Sequence, residues 1–383
     1  AFGSVGVDKS GGNLIINTGS SYPMQVDGDM DLISVNDFYL QNEDLVVEGT
    51  LDIYNGSTLN IGTLGSLTNN SDFTLNGELD VGEGDAFIHR EFELVPTGIL
   101  TIDGGSFICS DEINDTSYIY GELNISDGLL AITNGNLTFG SSSTNNISGG
   151  IIRCGHIFTV ANGTTFNPTG GVIDLTGTSI MMIMGSGTSL YDLLITGSIY
   201  PQSSQIFVTN DLTVDGTLFL NDDLVQVDNE MIINGGIRMD SALDVLSVEN
   251  IFWNNGSTSG QVTNGNINVH GDWYFHDGTD AQLGTGNTVN FYGSTTQNIY
   301  CYDADAAFGS VGVDKSGGNL IINTASTQPM RVDGDFDAID VNSFHINGEE
   351  LIVDGTLDIY DGSEMTLGID GALTNNSDFE LNG

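Results

Sequence analysis

The chain is predicted to be all-β, a parallel β-solenoid (β-helix) of stacked rungs of about 20–28 residues. Three observations carry this expectation. Apolar and polar residues alternate in short runs, which is the period-2 pattern of a strand with one buried face. Glycine is dense, at 52 of 383 residues, and Asn-Gly and Asp-Gly pairs punctuate the runs at Asn55-Gly56, Asn76-Gly77, Asp127-Gly128 and Asp215-Gly216. Runs of good helix formers are few, and linker-like Pro-rich or Ser-rich stretches are missing.

The rung itself is read from recurring phrases. Gly49-Thr50-Leu51-Asp52-Ile53 has relatives at Gly77-Glu78-Leu79-Asp80-Val81, Gly98-Ile99-Leu100-Thr101-Ile102 and Gly121-Glu122-Leu123-Asn124-Ile125. A single rung cannot bury its apolar side alone, so stacked rungs must share a column of Leu, Ile, Val and Phe. A β-propeller would need blades of about 40–50 residues in closed sets. A string of sandwiches would need linkers.

A much larger repeat overlies the short one. Ala1-Phe2-Gly3-Ser4-Val5-Gly6-Val7-Asp8-Lys9-Ser10 returns as Ala307-Phe308-Gly309-Ser310-Val311-Gly312-Val313-Asp314-Lys315-Ser316, and the match runs without a gap to Gly77 and Gly383. About two thirds of the paired positions are the same. Residues 1–306 are therefore read as one complete tandem unit of a continuous solenoid, and 307–383 as the start of the next, a copy of 1–77. At about 22 residues per rung, such a unit holds roughly 14 rungs and would advance about 65–70 Å. A fainter echo links Gly171–Gly177, Leu190–Ile195 and Asp211–Gly216 to Asn287–Gly293, the Ala307 segment and Met330–Gly334. The chain starts at Ala1 and stops inside a strand-like pattern, so a longer polypeptide is expected.

Charge excludes several classes. Six Lys plus Arg face 52 Asp plus Glu, a formal net charge of −46. No phosphate backbone or anionic bilayer surface is a natural partner for that balance. No apolar run is long enough for a membrane-spanning helix. Repulsion between carboxylates one rung apart, about 1 kcal/mol in water, is expected to make stacking favour saline media. Asn69-Asn70 and Asn145-Asn146 are expected to form neutral outward ladders that relieve it.

The Gly-x-Leu-x-Ile phrases with Asn/Asp-Gly turns, as in Gly49 to Gly56, resemble secreted repeat proteins of bacterial surfaces. These include filamentous-haemagglutinin-like β-helices and the large repeat proteins exported by Bacteroidota-type organisms. The stretch Asn287 to Gly334, with Gln297-Asn298-Ile299, the Asp314-Lys315-Ser316-Gly317-Gly318 turn and Val332-Asp333-Gly334-Asp335, is most similar to the latter. The resemblance implies an extracellular or cell-surface location and a role as adhesin, stalk or fibre, with self-association through stacked or end-to-end repeats. It brings no catalytic motif.

Candidate chemistry is sparse. No nucleophile elbow, HExxH or P-loop occurs. The cations of one unit, Lys9, Arg90, Arg153 and Arg238, are scattered, so a polysaccharide-cleaving β-helix enzyme is the least favoured reading. No cofactor is expected, with one calcium alternative. Asp27, Asp29 and Asp31, repeated as Asp333, Asp335 and Asp337, would share an outer strand face if Val26, Gly28, Met30 and Leu32 point inward. The bland reading is a solvated acidic face. The histidines are His89, His156, His270, His276 and His345; His270 and His276 are read as outward strand residues beside the Trp273/Tyr274/Phe275 cluster, with a metal held together with Asp272 and Asp277 as the alternative. Cys109, Cys154 and Cys301 are read as small core residues, with a disulfide or cross-link as the alternative. A glycan-binding adhesin module is the second functional reading, and Trp253 and the Trp273/Tyr274/Phe275 cluster are its expected platforms.

Overall fold

The computed structural model describes the chain apart from residues 10–11, 17–21, 111, 113–114, 203–204, 255–260, 280, 323–324 and 383. Ser10 and Gly383 of the large repeat thus lie outside the described residues. The fold is a parallel β-solenoid of about 17 turns with no helix among the described residues. Two compact units are present, Ala1–Leu193 and Leu194–Gly383.

In the first unit three strands make one coil. Val5–Asp8, Asn13–Ile16 and Met24–Val26 come first, and each pairs in parallel with the strand three places further on. Three ladders result, one for each face of the coil. On the first face Val5 pairs with Met30, Met30 with Leu51, Leu51 with Phe73 and Phe73 with Phe92, so successive coils take 25, 21, 22 and 19 residues. These lengths agree with rungs of about 20–28 residues, and a coil of the second unit takes 26, from Trp273 to Ile299. The longest expected step ran from Gly49 to Gly77, but these glycines precede strands on different faces. Leu51 pairs with Phe73 on the first face, whereas Leu79 pairs with Leu59 and Leu100 on the second. The phrases at Gly77, Gly98 and Gly121 are true equivalents, since Leu79, Leu100 and Leu123 are stacked partners.

Later coils of this unit join two faces in one long strand. Ile99–Cys109, Glu122–Ile132 and Thr144–Cys154 each span eleven residues. Their ladders shift register in the middle, between Ile102 and Ser106 and again between Ser148 and Ile151. Gly128 lies at such a bend with φ of 91°, a conformation that a residue with a Cβ adopts at a cost.

Alternation places the core. Val26, Met30 and Leu32 are fully buried, as the pattern requires, and so are Leu79, Leu100 and Leu123. Fully burying one such side chain contributes about 1.5–3 kcal/mol, and stacking is the only way a coil gains it. The rings of Phe73, Phe92 and Phe107 pack together inside, with Phe92 and Phe107 at 4.6 Å.

The asparagine pairs obey the same alternation and correct one expectation. Asn69 pairs with Val47 and Ile88 in an inward column and is fully buried, its Nδ2 donating to Gly49 O at 2.9 Å. Asn145 pairs with inward Leu123. Only the second member of each pair faces out: Asn70 Nδ2 donates to Glu48 at 2.9 Å, and Asn146 Nδ2 to Asn124 Oδ1 at 2.7 Å.

The second unit follows the same plan. One face runs Leu212, Met231, Ile251, Trp273 and on to Ile299. A second runs Ile206, Val225, Leu246, Ile267, Val289, Val311, Phe336, Leu357 and Phe379. Coils approach closely at Gly216, where a Cβ would collide with Gly197 O; glycine is needed there for space. The start of the second copy enters this stack without interruption. Val289 pairs with Val311 and Gln297 with Leu320, and Gln282 bridges Ala307. The uniformly parallel ladders exclude both the propeller and the sandwich alternatives, which are built from antiparallel sheets.

Candidate binding surface

The inward columns of the described residues are mostly apolar, so candidate chemistry is sought among outward side chains and corners. The outward acids form short columns. Asp31 pairs with Asp52 in the first copy, and Asp337 with Asp358 and then Glu380 in the second. Partial burial, then Asp31 and Asp29, hold Asp52 above the usual carboxylate range; burial, then Asp358 and Asp335, do the same for Asp337. Like charges one rung apart disfavour ionisation in this way.

The aspartate trios are not the single strand face that alternation implied. Met24–Val26 ends before Asp27 and Met30–Ile33 begins after Asp29, so Asp27-Gly28-Asp29 is a corner between two faces. Asp333-Gly334-Asp335 separates Met330–Val332 from Phe336–Asp340 identically. The corner acids serve the backbone. Asp29 Oδ1 accepts from Thr50 N at 3.0 Å, and Asp335 Oδ1 from Thr356 N at 2.8 Å. Asp29 N in turn donates to Ser4 Oγ at 3.2 Å, and Asp335 N to Ser310 Oγ at 3.3 Å. The inward-outward alternation continues through the corner, but the chain changes face between Val26 and Met30, so Asp31 lies on a different face from Asp27.

The histidines are likewise dispersed. His270 lies against Tyr292, with ring centroids 6.1 Å apart. His276 packs near Tyr274 and Tyr302, at 6.1 and 6.0 Å. Asp272 is turned to Asn298, whose backbone N donates to it at 2.7 Å. His156 Nδ1 meets Asn136 Oδ1 at 2.7 Å, and His89 Nδ1 meets Ser110 Oγ at 3.4 Å. His345 is stacked between Ile321 and Thr366. Among the described residues no three His, Cys, Asp or Glu side chains gather closely enough to hold a metal ion.

The cysteines are buried free thiols. Cys109 and Cys154 occupy one inward column with Ile132 between them. That places them two rungs apart, about 9–10 Å, beyond disulfide reach. Burial pushes the Cys154 thiol up to about 11 and the Cys301 thiol up to about 12, the latter helped by Glu349. Thiols held protonated are poor nucleophiles. The cations of the large unit are also apart. Arg153 Nε donates to nearly buried Asp174 at 2.8 Å, Arg238 pairs with Asp240 at 3.0 Å, and Lys9 Nζ donates to Asn13 O at 2.6 Å. Arg90 is exposed, and its carbonyl accepts from the Cys109 thiol.

The expected aromatic platforms move by one residue. Trp253 and Trp273 are fully buried and Phe275 nearly so; they pack on one another in the core. Their sequence neighbours face out instead. Phe252, Tyr274 and Tyr300 stack over three coils, at 4.5 Å and 9° and then 4.4 Å and 6°. Burial, then Asp272 and Tyr300, raise the Tyr274 hydroxyl well above its ordinary value. The signal was present in Trp273-Tyr274-Phe275: if both flanking residues point in, the middle one points out.

Clefts open on the outward surface among the described residues. One of about 440 Å³ lies among Thr133, Asn134, His156 and Thr176 in the first unit. In the second unit, one of about 270 Å³ lies beside Arg238, Phe219 and Tyr200. Another, of about 540 Å³, is lined by His276, Asp277, Tyr302, Thr327 and Gln328. No helix among the described residues is long and apolar enough to cross a membrane. No protein family, curated protein or solved structure matches the chain.

Proposed function

We propose that the chain is part of an extracellular structural fibre, a stiff tandem-repeat rod that gives reach, scaffolding or adhesion. One observation supports this most directly. Where residue 306 meets residue 307, the solenoid does not close. Coil residues Val289 and Gln297 receive Val311 and Leu320 of the next copy in ordinary parallel register, with Phe308 fully buried. A unit whose last coil is the seat of the following unit makes a rod whose length is set by the number of units. Scarce Lys and Arg leave few sites for trypsin-like proteases, which suits a fibre outside the cell.

The test is to express two, three and four consecutive 306-residue units and measure maximum dimension by small-angle scattering, with cryo-electron micrographs of the longest. Each added unit is expected to lengthen the particle by about 65–70 Å, with a layer line near 4.8 Å. Particles that grow in width, or that form beads at variable spacing, would refute the rod.

A further inference from the structure

Apart from the Tyr200–Phe219 stack and the His270–Tyr292 pair, the described outward rings of the second unit form two rows, and stability accounts for the first. Phe252, Tyr274 and Tyr300 cover one another's faces at 4.4–4.5 Å. Such stacking contributes about 0.5–1.5 kcal/mol per pair and leaves mainly ring edges toward solvent. The second row differs. His276 and Tyr302 are 6.0 Å apart and tilted by 33°, and Tyr300 and Tyr302 are 6.3 Å apart. Rings so spaced do not close over each other. His276 and Tyr302 form one wall of the cleft of about 540 Å³.

The remainder of that cleft is polar. Asp277, Thr327 and Gln328 complete its lining. Its frame is held by the backbone: Thr327 N and Gln328 N both donate to Cys301 O, at 3.0 and 3.1 Å. On the other side Asp303 accepts from Gly278 N at 2.6 Å and from Asp305 N at 2.8 Å. Ring walls with a few fixed polar groups, in a volume within the usual range of about 300–1,000 Å³, describe a small-ligand site. The charge narrows the ligand. Among the described residues no Lys or Arg lines the cleft, whereas Asp277 does, and Asp303 is held against Gly278 N next to it. An anionic ligand is disfavoured there.

We propose that this cleft binds a neutral sugar residue of a glycan chain. His276 and Tyr302 pack against the C–H face of the sugar. Asp277, Thr327 and Gln328 exchange hydrogen bonds with its hydroxyls. The site uses outward residues of a few adjacent coils, so it requires no fibre, and it would stand or fall independently of the rod.

The test is calorimetric titration of the full chain with neutral hexasaccharides derived from β-glucan, mannan and chitin, beside an oligogalacturonate. At least one neutral sugar is expected to bind with Kd in the millimolar range or tighter. Tyr302→Ala and His276→Ala are expected to weaken it by about tenfold or more, with Tyr302→Phe retaining most affinity. Asp277→Asn and Gln328→Ala sit on the rim and keep the test valid if a ring deletion disturbs folding. Tyr118→Ala, in the outward Tyr118–Tyr120 stack of the first unit with ring centroids 5.5 Å apart, is expected to change nothing. No binding by any neutral sugar, preference for the oligogalacturonate, or affinity unchanged in all four cleft variants would overturn the proposal.

Discussion

The two copies of the repeated segment, residues 1–77 and 307–383, share about two thirds of their residues and bury equivalent ones differently. Phe2 is 56% exposed, whereas its equivalent Phe308 is 0% exposed. At the other end of the segment the order reverses: Phe73 is 1% exposed and its equivalent Phe379 is 51% exposed. The cause is visible within each unit. Phe308 lies 5.0 Å from both Trp273 and Phe275 of the preceding coil, and Phe73 lies 5.5 Å from Phe92 of the following one. A coil of this solenoid therefore has no core of its own. Its apolar residues become core when a neighbour is added, which is the nearest-neighbour energetics of a repeat array.

The largest effect should come from breaking that difference. Phe308→Ala is expected to cost about 3–5 kcal/mol, and Phe2→Ala no more than about 0.5 kcal/mol. A stacked array need not unfold in one step, so local hydrogen exchange at Val311 and Val5 is the appropriate reading. Equal losses of protection at the two sites would show that coil stacking is not what buries Phe308.

A second pair of substitutions should show no difference. Gly28 and Gly334 occupy the centre of the aspartate corner in each copy. A Cβ at either would press on the hydroxyl of Ser4 or Ser310, and on Gly3 O at 2.9 Å or Gly309 O at 2.7 Å. Both corners have their neighbouring coil in place. Gly28→Ala and Gly334→Ala are each expected to cost about 1–3 kcal/mol, measured by the same exchange experiment. A harmless change at either position would mean that the corner has room to relax.

These contrasts also show what was legible in the sequence. Alternation identified the inward residues Val26, Met30 and Leu32, and the large repeat was plain from residue identity. The assignment of phrases to faces was not. Gly49 and Gly77 open similar phrases because every face demands the same inward-outward pattern. Only pairing partners reveal which face a phrase occupies. The aspartate trio does not share one strand face, because a corner at Gly28 turns the chain to the next face while the alternation runs on. The aromatic surface failed for a simpler reason. Trp253 and Trp273 are the largest rings and size favours the core, so the outward positions belong to Tyr274, His276, Tyr300 and Tyr302.

Lysine offers a third, smaller contrast. Lys315 is buried and its Nζ donates to Gln297 Oε1 of the preceding coil, whereas Lys9, its equivalent, donates to Asn13 O within its own coil. Burial lowers Lys315 from its ordinary value of 10.5 to about 8. Between these values the unfolded chain binds more protons than the folded one, so stability rises with pH across that window. Melting of the full chain is expected to shift upward between about pH 8 and pH 9.5 relative to Lys315→Met, which lacks this linkage. Lys9→Met is expected to follow the unaltered chain. A Lys315→Met profile that also matches it would remove the buried lysine from the account.

The smallest effect concerns a single altered rung. The outward acid column reads Asp31, Asp52, Thr74 in the first copy and Asp337, Asp358, Glu380 in the second. Asp358 is raised above the usual carboxylate range by desolvation, then by Glu380 and Asp335; Asp52 is raised by burial, then by Asp31 and Asp29. Glu380→Thr gives the second column the composition of the first. The Asp358 titration, followed by carboxyl carbon NMR, is then expected to move down toward the ordinary range. The sign for stability follows. A carboxyl raised in the folded state is most favourable when protonated, below its unfolded value, and loses that advantage as pH climbs through the folded one. Removing Glu380 should therefore flatten the local gain on acidification while leaving the column around Asp52 unchanged. An Asp358 titration unmoved by Glu380→Thr would mean that desolvation alone sets it, and that charges one rung apart on this solenoid are screened from one another by solvent.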